Sequence, residues 1–223
     1  MMAVRADGRR RVDTRRAILD TAVEVMAERG VAGLSLSEVA RRVGIKQPSL
    51  YKHFASLHAV YDEVFREGAQ RQLEAVARAA MASEPGLPAM EAVVEAIGRL
   101  AMANPVVAQL LSWRPVPDFT PSEEAFRPSV EMVGIVRTML RDAVAAGELD
   151  PAADSDSGAA LFSIVVAGTL TQQLANEPGA TYEGGRFSSL LPSAHAMFVR
   201  YFAPKIVSQA EGQPCTRPEH RKP

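Results

Sequence analysis

The sequence predicts an all-α fold of about nine helices: an N-terminal three-helix unit containing a helix-turn-helix, followed by a larger helical body. Three observations predict it. Apolar residues recur at three- and four-residue spacing almost throughout. Hydrophobic residues make up 47% of the 223 residues, yet aromatics only 6%. No Asn-Gly or Asp-Gly pair stands between two alternating apolar runs, so hairpins are not signalled.

The helices follow in order. Thr14 can cap the first, whose apolar face is Ile18, Leu19, Ala22, Val23, Val25 and Met26. Gly30 is placed to end it. Ser35 followed by Glu38 reads as a capping box for the second, with Leu36, Val39, Ala40 and Val43 inward and Gly44 as its stop. A short third helix starts near Gln47, with Pro48 tolerated in the first turn because that N–H needs no helical partner. Ser56 can cap a long fourth helix reaching about Met81. After a break at 83–88, helices are expected at about 88–103 and 106–113. Residues 114–121 hold three prolines and read as an irregular loop. A helix of about 122–146 follows, with a break near Pro128 and a stop at Gly147. Asp154 or Asp156 caps a helix of about 157–176, and the last spans about 186–202. This divides the chain into a disordered basic arm (1–11), a head (12–60), a body (61–203) and a disordered tail (204–223).

Composition excludes several classes. The single Cys215 excludes a disulfide framework and any zinc site of several cysteines. The longest apolar stretch, Ala159 to Leu170, is interrupted by Ser163, Gly168 and Thr169 and falls short of the ~18 residues that would suggest a membrane helix. The N-terminus is arginine-rich with no apolar stretch behind it, so no secretory signal is read. A cytoplasmic protein without membrane contact is the expectation. No Gly-x-Gly-x-x-Gly, Walker loop, Gly-x-Ser-x-Gly or His-Glu-x-x-His motif occurs, so no enzyme is expected. Asp150, Asp154 and Asp156 lack the Gly and terminal Glu of a calcium loop and read as caps. No cofactor and no metal are expected.

The net charge of −1 hides an asymmetry. Residues 1–60 hold 11 Lys/Arg and 6 Asp/Glu, a net of +5, and the remainder carries −6. A basic head on an acidic body suggests docking on phosphates. Within the head, Ser35 to Phe54 reads as helix, glycine-containing turn, helix, a pair whose second helix fits the major groove of DNA. Leu50 and Phe54 face inward, and a 100° step sends Pro48 and Lys52 outward, with Ser49 and Tyr51 on the flanks and Gln47 at the tip. Gln bonds adenine bidentately, Ser bonds several base edges, and Pro offers apolar contact to a thymine methyl. Lys46, Lys52, His53 and the Tyr51 hydroxyl suit phosphates. Arg15 and Arg16, in the first helical turn, are read as pre-positioned phosphate contacts. Ser35 and Ser37 complete the DNA-facing set. Arg5, Arg9, Arg10 and Arg11 either follow phosphates or solubilise a tail. The same residues also fit a plain surface helix pair with solvated side chains.

These residues resemble the tetracycline-repressor (TetR) family. The shared pattern is Gly30, Ser35, Val39-Ala40, Gly44-Ile45 and Leu50-Tyr51-Lys52-His53-Phe54, over about residues 12–60. One departure is Leu57, where the family usually carries a phosphate-contacting Lys. The resemblance implies DNA binding by the head and a ligand-binding, dimerising body. Met90, Met102, Trp113, Phe119, Phe126, Met132, Met139, Phe162 and Gln172 are the expected pocket, because methionine and aromatics suit an adaptable apolar cavity. Asn104, Gln109, Gln173 and His195 are further polar candidates. The last two helices are apolar over most of their girth, and the resemblance makes them a four-helix dimer interface through Leu161, Val165, Gly168, Leu190, Met197 and Tyr201. The expected function is a homodimeric, ligand-responsive repressor released from a palindromic operator by a small apolar effector. The expected partners are therefore double-stranded operator DNA, the effector and a second copy of the chain. The alternatives are a ligand-binding helical protein with weak or non-specific DNA binding, and an all-helical enzyme.

Overall fold

The structure, a computed structural model, describes residues 2–113 and 115–204, with residues 2–11 as backbone only. The side chains of the arm arginines, and the tail with Cys215, lie outside the described residues. Nine α-helices and no strand occur among the described residues: α1 (Met2–Arg29), α2 (Leu36–Val43), α3 (Gln47–Leu50), α4 (Leu57–Met81), α5 (Leu87–Ala103), α6 (Pro105–Ser112), α7 (Glu123–Ala145), α8 (Asp156–Asn176) and α9 (Leu191–Tyr201). Short 3-10 turns sit at Val31–Gly33, Pro151–Ala153 and Ser188–Leu190.

Several ends fall where the sequence signals them. Ser56 caps α4 by accepting the Ala59 N–H at 3.1 Å. Gly44 ends α2 at φ 75, ψ 28, and its N–H returns to the Ala40 and Arg41 carbonyls. That left-handed backbone is one a side chain would resist. At the end of α7, the Gly147 and Glu148 N–H groups return to the carbonyls of Val144 and Ala143, a Schellman closure.

Other ends differ. α1 begins at Met2, ahead of Thr14. Gly8 is the one poor helix former in the stretch before it, a cost of about 1 kcal/mol. The capping box at Ser35 does not close: Ser35 bonds Ser37 (Oγ–Oγ 2.8 Å), and Glu38 is held by arginines instead. Ser155 caps α8 by accepting the Gly158 N–H, which places Asp156 one position inside the helix. α7 runs unbroken through Pro128. The proline stands in the second turn, where it forfeits a single backbone bond. The last helix is shorter than expected because residues up to Leu190 form the 3-10 turn.

The core has two parts. One joins α1, α2, Leu50 and Phe54 to the first half of α4 (Val60, Tyr61, Val64, Phe65, Ala69), and also to Val107, Leu110, Val116, Phe119 and Ala125. The proline-rich loop thus plugs Val116 and Phe119 into the base of the head. The second part joins α5, α7, α8 and α9 around Met90, Leu140, Phe162, Leu174 and Leu191. α4, at 25 residues and so about 37 Å long, contributes to both cores. α6 feeds Val107 and Leu110 into the head's core while packing against α4, α5 and α8. At the α4–α6 crossing, a Cβ on Gly68 would stand 2.5 Å from Val107 Cγ1, so only glycine allows this approach. By length and composition α8 could cross a membrane. Counting uninterrupted apolar runs in the sequence does not reveal this. One side of α8 is packed on α5, α7 and α9.

Candidate nucleic-acid interface and ligand cavity

The turn after α2 is closed by the Ile45 N–H donating to the Ala40 carbonyl at 3.0 Å. Ala40 is 2% exposed, and its small side chain lets the two helices cross closely. Lys46 caps α3 with its carbonyl, which accepts from the Ser49 N–H at 2.8 Å and the Leu50 N–H at 3.3 Å. Turns continue the helical path to Phe54. Leu50 and Phe54 are buried. Lys46, Gln47, Pro48, Tyr51 and Lys52 are exposed, while Ser49 and His53 are half-buried. The outward face expected from the 100° step is therefore the face presented to solvent.

Tyr61 holds this head on α4. It is fully buried, and its hydroxyl donates to the Val31 carbonyl at 2.7 Å. Burial pushes its phenol pKa up. Leu57 packs against the same core, so it serves as an apolar contact rather than a phosphate ligand. His58 lies 5.9 Å from the Phe119 ring.

The arginines expected on phosphates have partners within the protein. Arg15 donates to the His53 carbonyl at 3.0 Å, pairs with Glu63 at 3.1 Å, and lies 4.2 Å over the Phe54 ring. It clamps the end of the recognition segment to α1 and α4. Arg16 pairs with Asp20 at 2.6 Å and with Glu67 at 2.8 Å. Glu67 lies ten residues beyond the start of α4, about 15 Å up the helix, which places the Arg16 contact on the body side of the head.

A second cluster gathers on Glu38, which accepts from Arg41 and Arg42 and pairs with Arg29 at 3.3 Å. Glu28 takes the other edge of Arg42 at 2.5 Å. The Arg41 and Arg42 hydrogen bonds hold the Glu38 carboxyl down at about 2. All five described arginines of residues 12–60 are thus ion-paired, and much of the head's positive charge is spent on its own architecture.

A small cavity of about 50 Å³ opens between α4, α5, α6 and α8. Its walls are Gly68, Ile97, Leu100, Ala101, Val107, Ala108, Leu111, Leu170 and Leu174, with Arg71, Gln72, Asn104 and Ser112 as polar groups. None of the nine residues expected in a pocket lines it. Met90, Met102, Met139 and Phe162 are buried in the second core, and Met132 packs against it. Phe119 packs on Tyr61 at 5.5 Å, and Phe126 stacks on Phe65 at 6.2 Å. The Trp113 indole donates to Thr171 at 3.2 Å. Gln172 is exposed. The expected residues are thus taken up by packing and hydrogen bonding outside this cavity.

Of the polar candidates, only Asn104 lines the cavity. Gln173 is fully buried and closes a loop: its Oε1 accepts the Phe187 and Ser188 N–H groups at 2.8 and 3.0 Å, and its Nε2 donates to the Glu177 carbonyl at 2.8 Å. Its register with Val166, Leu170 and Leu174 is the signal that could have marked it as structural. His195 is buried, and burial pulls its pKa down.

The last two helices carry an exposed apolar face. Leu161, Ile164, Leu190, Met197 and Tyr201 are all exposed, between 36% and 75%. A groove between them is floored by Val165, Gly168 and Ala194. Of the residues expected at an interface between copies, Val165, Gly168, Leu190 and Met197 line this groove, and Leu161 and Tyr201 are exposed on the same two helices.

Residues 18–64 match the model of the bacterial regulatory proteins of the tetR family. The chain is 29% identical over 92 residues, 41% of its length, to the uncharacterized HTH-type transcriptional regulator YobS of Bacillus subtilis. It is 39% identical over 46 residues, 21% of its length, to IcaR of Staphylococcus aureus, the HTH-type negative transcriptional regulator of the biofilm operon icaADBC. The aligned segments span about half of YobS (48%) and a quarter of IcaR (25%). The fold is shared with the TetR family transcriptional regulator PfmR of Thermus thermophilus, at a TM-score of 0.64 and 19% identity, over 82% of this chain and 94% of that one.

Proposed function

We propose that this chain, a tetR-family member by its N-terminal domain, is a homodimeric transcriptional repressor that binds a palindromic operator and is released by a small ligand. The observation that carries the reading is the recognition face: Lys46, Gln47, Pro48, Tyr51 and Lys52 stand outward on a segment fixed beneath by buried Leu50 and Phe54. A helix presented this way enters the major groove with its N-terminal residues on base edges. Gln47 and Pro48 would read bases, with Ser49 beside them. Lys46 and Lys52 would contact phosphates. Ser35, Ser37, Tyr51 and His53 complete the set. Arg15 and Arg16 position the head rather than touch DNA.

Dimerisation through α8 and α9 is supported by the exposed apolar face, an arrangement that would space two heads on successive major-groove turns. Effector entry is supported by the cavity beside α6, which shares side chains with the core of the head. A cavity this small must enlarge to hold a drug-sized molecule, and α6 leaving Gly68 is the way to enlarge it. The protein would act in the cytoplasm.

The test is footprinting on the DNA flanking its own gene. Protection of an inverted repeat, lost in Gln47→Ala with the helical circular dichroism unchanged, supports the reading. Binding with a salt dependence but no sequence preference refutes it.

A further inference from the structure

One carboxylate oxygen links the cavity to the head. Glu67 Oε2 accepts from Arg16 Nη1 at 2.8 Å and from Arg71 Nη2 at 3.0 Å. Arg16 belongs to α1. Arg71 lies on α4 and, among the described residues, is the one charged side chain lining the cavity, with no acid in its wall. Arg71 also reaches a cleft of about 280 Å³ between α1, α4 and α6, lined as well by Arg16, Asp20 and Glu67. Asn104 and Val107 border both spaces, so the cavity and the cleft adjoin.

We propose that the effector is an amphipathic anion, with its acidic group on Arg71 and its apolar part against α5, α6 and α8, and that Glu67 passes its arrival to the head. The proposal rests on the effector-responsive reading above. Arg71, Gln72, Asn104 and Ser112 are the polar groups of the wall, and the rest of it is apolar. An anion on Arg71 competes with Glu67 for that guanidinium. Glu67 Oε2 is then left to Arg16 alone, and the tie between α4 and α1 tightens. The reverse holds by linkage: a head orientation that draws Arg16 off Glu67 returns the carboxylate to Arg71 and weakens anion binding. Asp20 holds the other edge of Arg16 and keeps it within reach. The three groups are partly exposed, which limits the expected coupling to about three- to five-fold.

The sequence contains one tryptophan, Trp113, next to Ser112 of the cavity wall, so its fluorescence reports occupancy of the full chain directly. Octanoate and its neutral counterpart octan-1-ol are the probes, titrated without DNA. Octanoate is expected to bind at least about five-fold tighter than octan-1-ol, and Arg71→Gln removes the preference. Glu67→Gln tightens octanoate about three- to five-fold and leaves octan-1-ol unchanged. Arg16→Gln, outside the cavity wall, weakens octanoate by a similar factor, because Glu67 then serves Arg71 alone. A purely structural role for Arg16 would not give opposite signs at the two positions. Equal affinity for the two probes, no saturable octanoate binding, or no effect of Arg16→Gln overturns the proposal. The titrations contain no DNA, so a failure to bind an operator registers separately.

Discussion

Replacing Gln173 with Leu should cost about 2–3 kcal/mol of stability. The side chain is fully buried and makes three hydrogen bonds, all to backbone of the loop before α9. Leucine is of similar size and keeps the packing, but it leaves two N–H groups and one carbonyl without that partner. A buried polar group left unsatisfied costs about 1–3 kcal/mol. The Ser188 site is buried and should incur the full cost, whereas the Phe187 and Glu177 groups are partly exposed and can recover water. Added apolar burial offsets about 1 kcal/mol. Urea unfolding followed by circular dichroism measures the difference, and amide exchange locates it. Exchange should quicken first at 186–190, the segment that leads Leu190 onto the exposed apolar face. Stability within about 0.5 kcal/mol of the parent, or uniform exchange changes, would show that Gln173 does not hold this loop.

Three further outcomes are expected. Glu38 is held far below the usual 4.5, at about 2. It therefore stabilises the head fully above 4.5, and that contribution disappears as pH falls through about 2. Thermal melts of Glu38→Gln should lack this part of the acid dependence between those values. Gly68→Ala should destabilise by about 1–3 kcal/mol in urea unfolding, because its Cβ would overpack Val107. Met197→Asp, on a side chain 73% exposed in the single chain, should leave the fold's circular dichroism intact and shift sedimentation to a monomer, since a buried unpaired charge is costly.

Much of the head was legible because its signals are local. Ser56 and Gly44, like Gly147 in the body, act through backbone bonds within a few residues, and the inward positions Leu50 and Phe54 follow from helical spacing alone. The failures involve competing partners, some local and some distant in sequence. Glu38 could have closed a box on Ser35, but Arg29, from α1, and the neighbouring Arg41 and Arg42 hold it instead. Arg15 and Arg16 sit where a phosphate contact is plausible, but α4 supplies Glu63 and Glu67, more than forty residues away in the chain. The +5 of the head was therefore a true count and a poor guide to the charge available for DNA. The cavity lies away from the expected pocket residues for a related reason: Met90, Met102, Met139 and Phe162 are taken up by the second core, a packing that residue type alone does not show. The apolar face of α8 and α9 was legible because both helices carry more hydrophobic girth than one core can cover.

On the proposed function, the outward face of α3 reads a DNA sequence. Fluorescence anisotropy on a labelled duplex carrying the protected repeat, against a scrambled duplex, tests it most directly across a range of salt. A preference for the repeat is expected, and Gln47→Ala should abolish it. Lys46→Ala should weaken both duplexes alike and lower the salt slope by about 1 for each phosphate it no longer neutralises. Equal affinity of the parent protein for both duplexes, or a preference unchanged in Gln47→Ala, would contradict this reading.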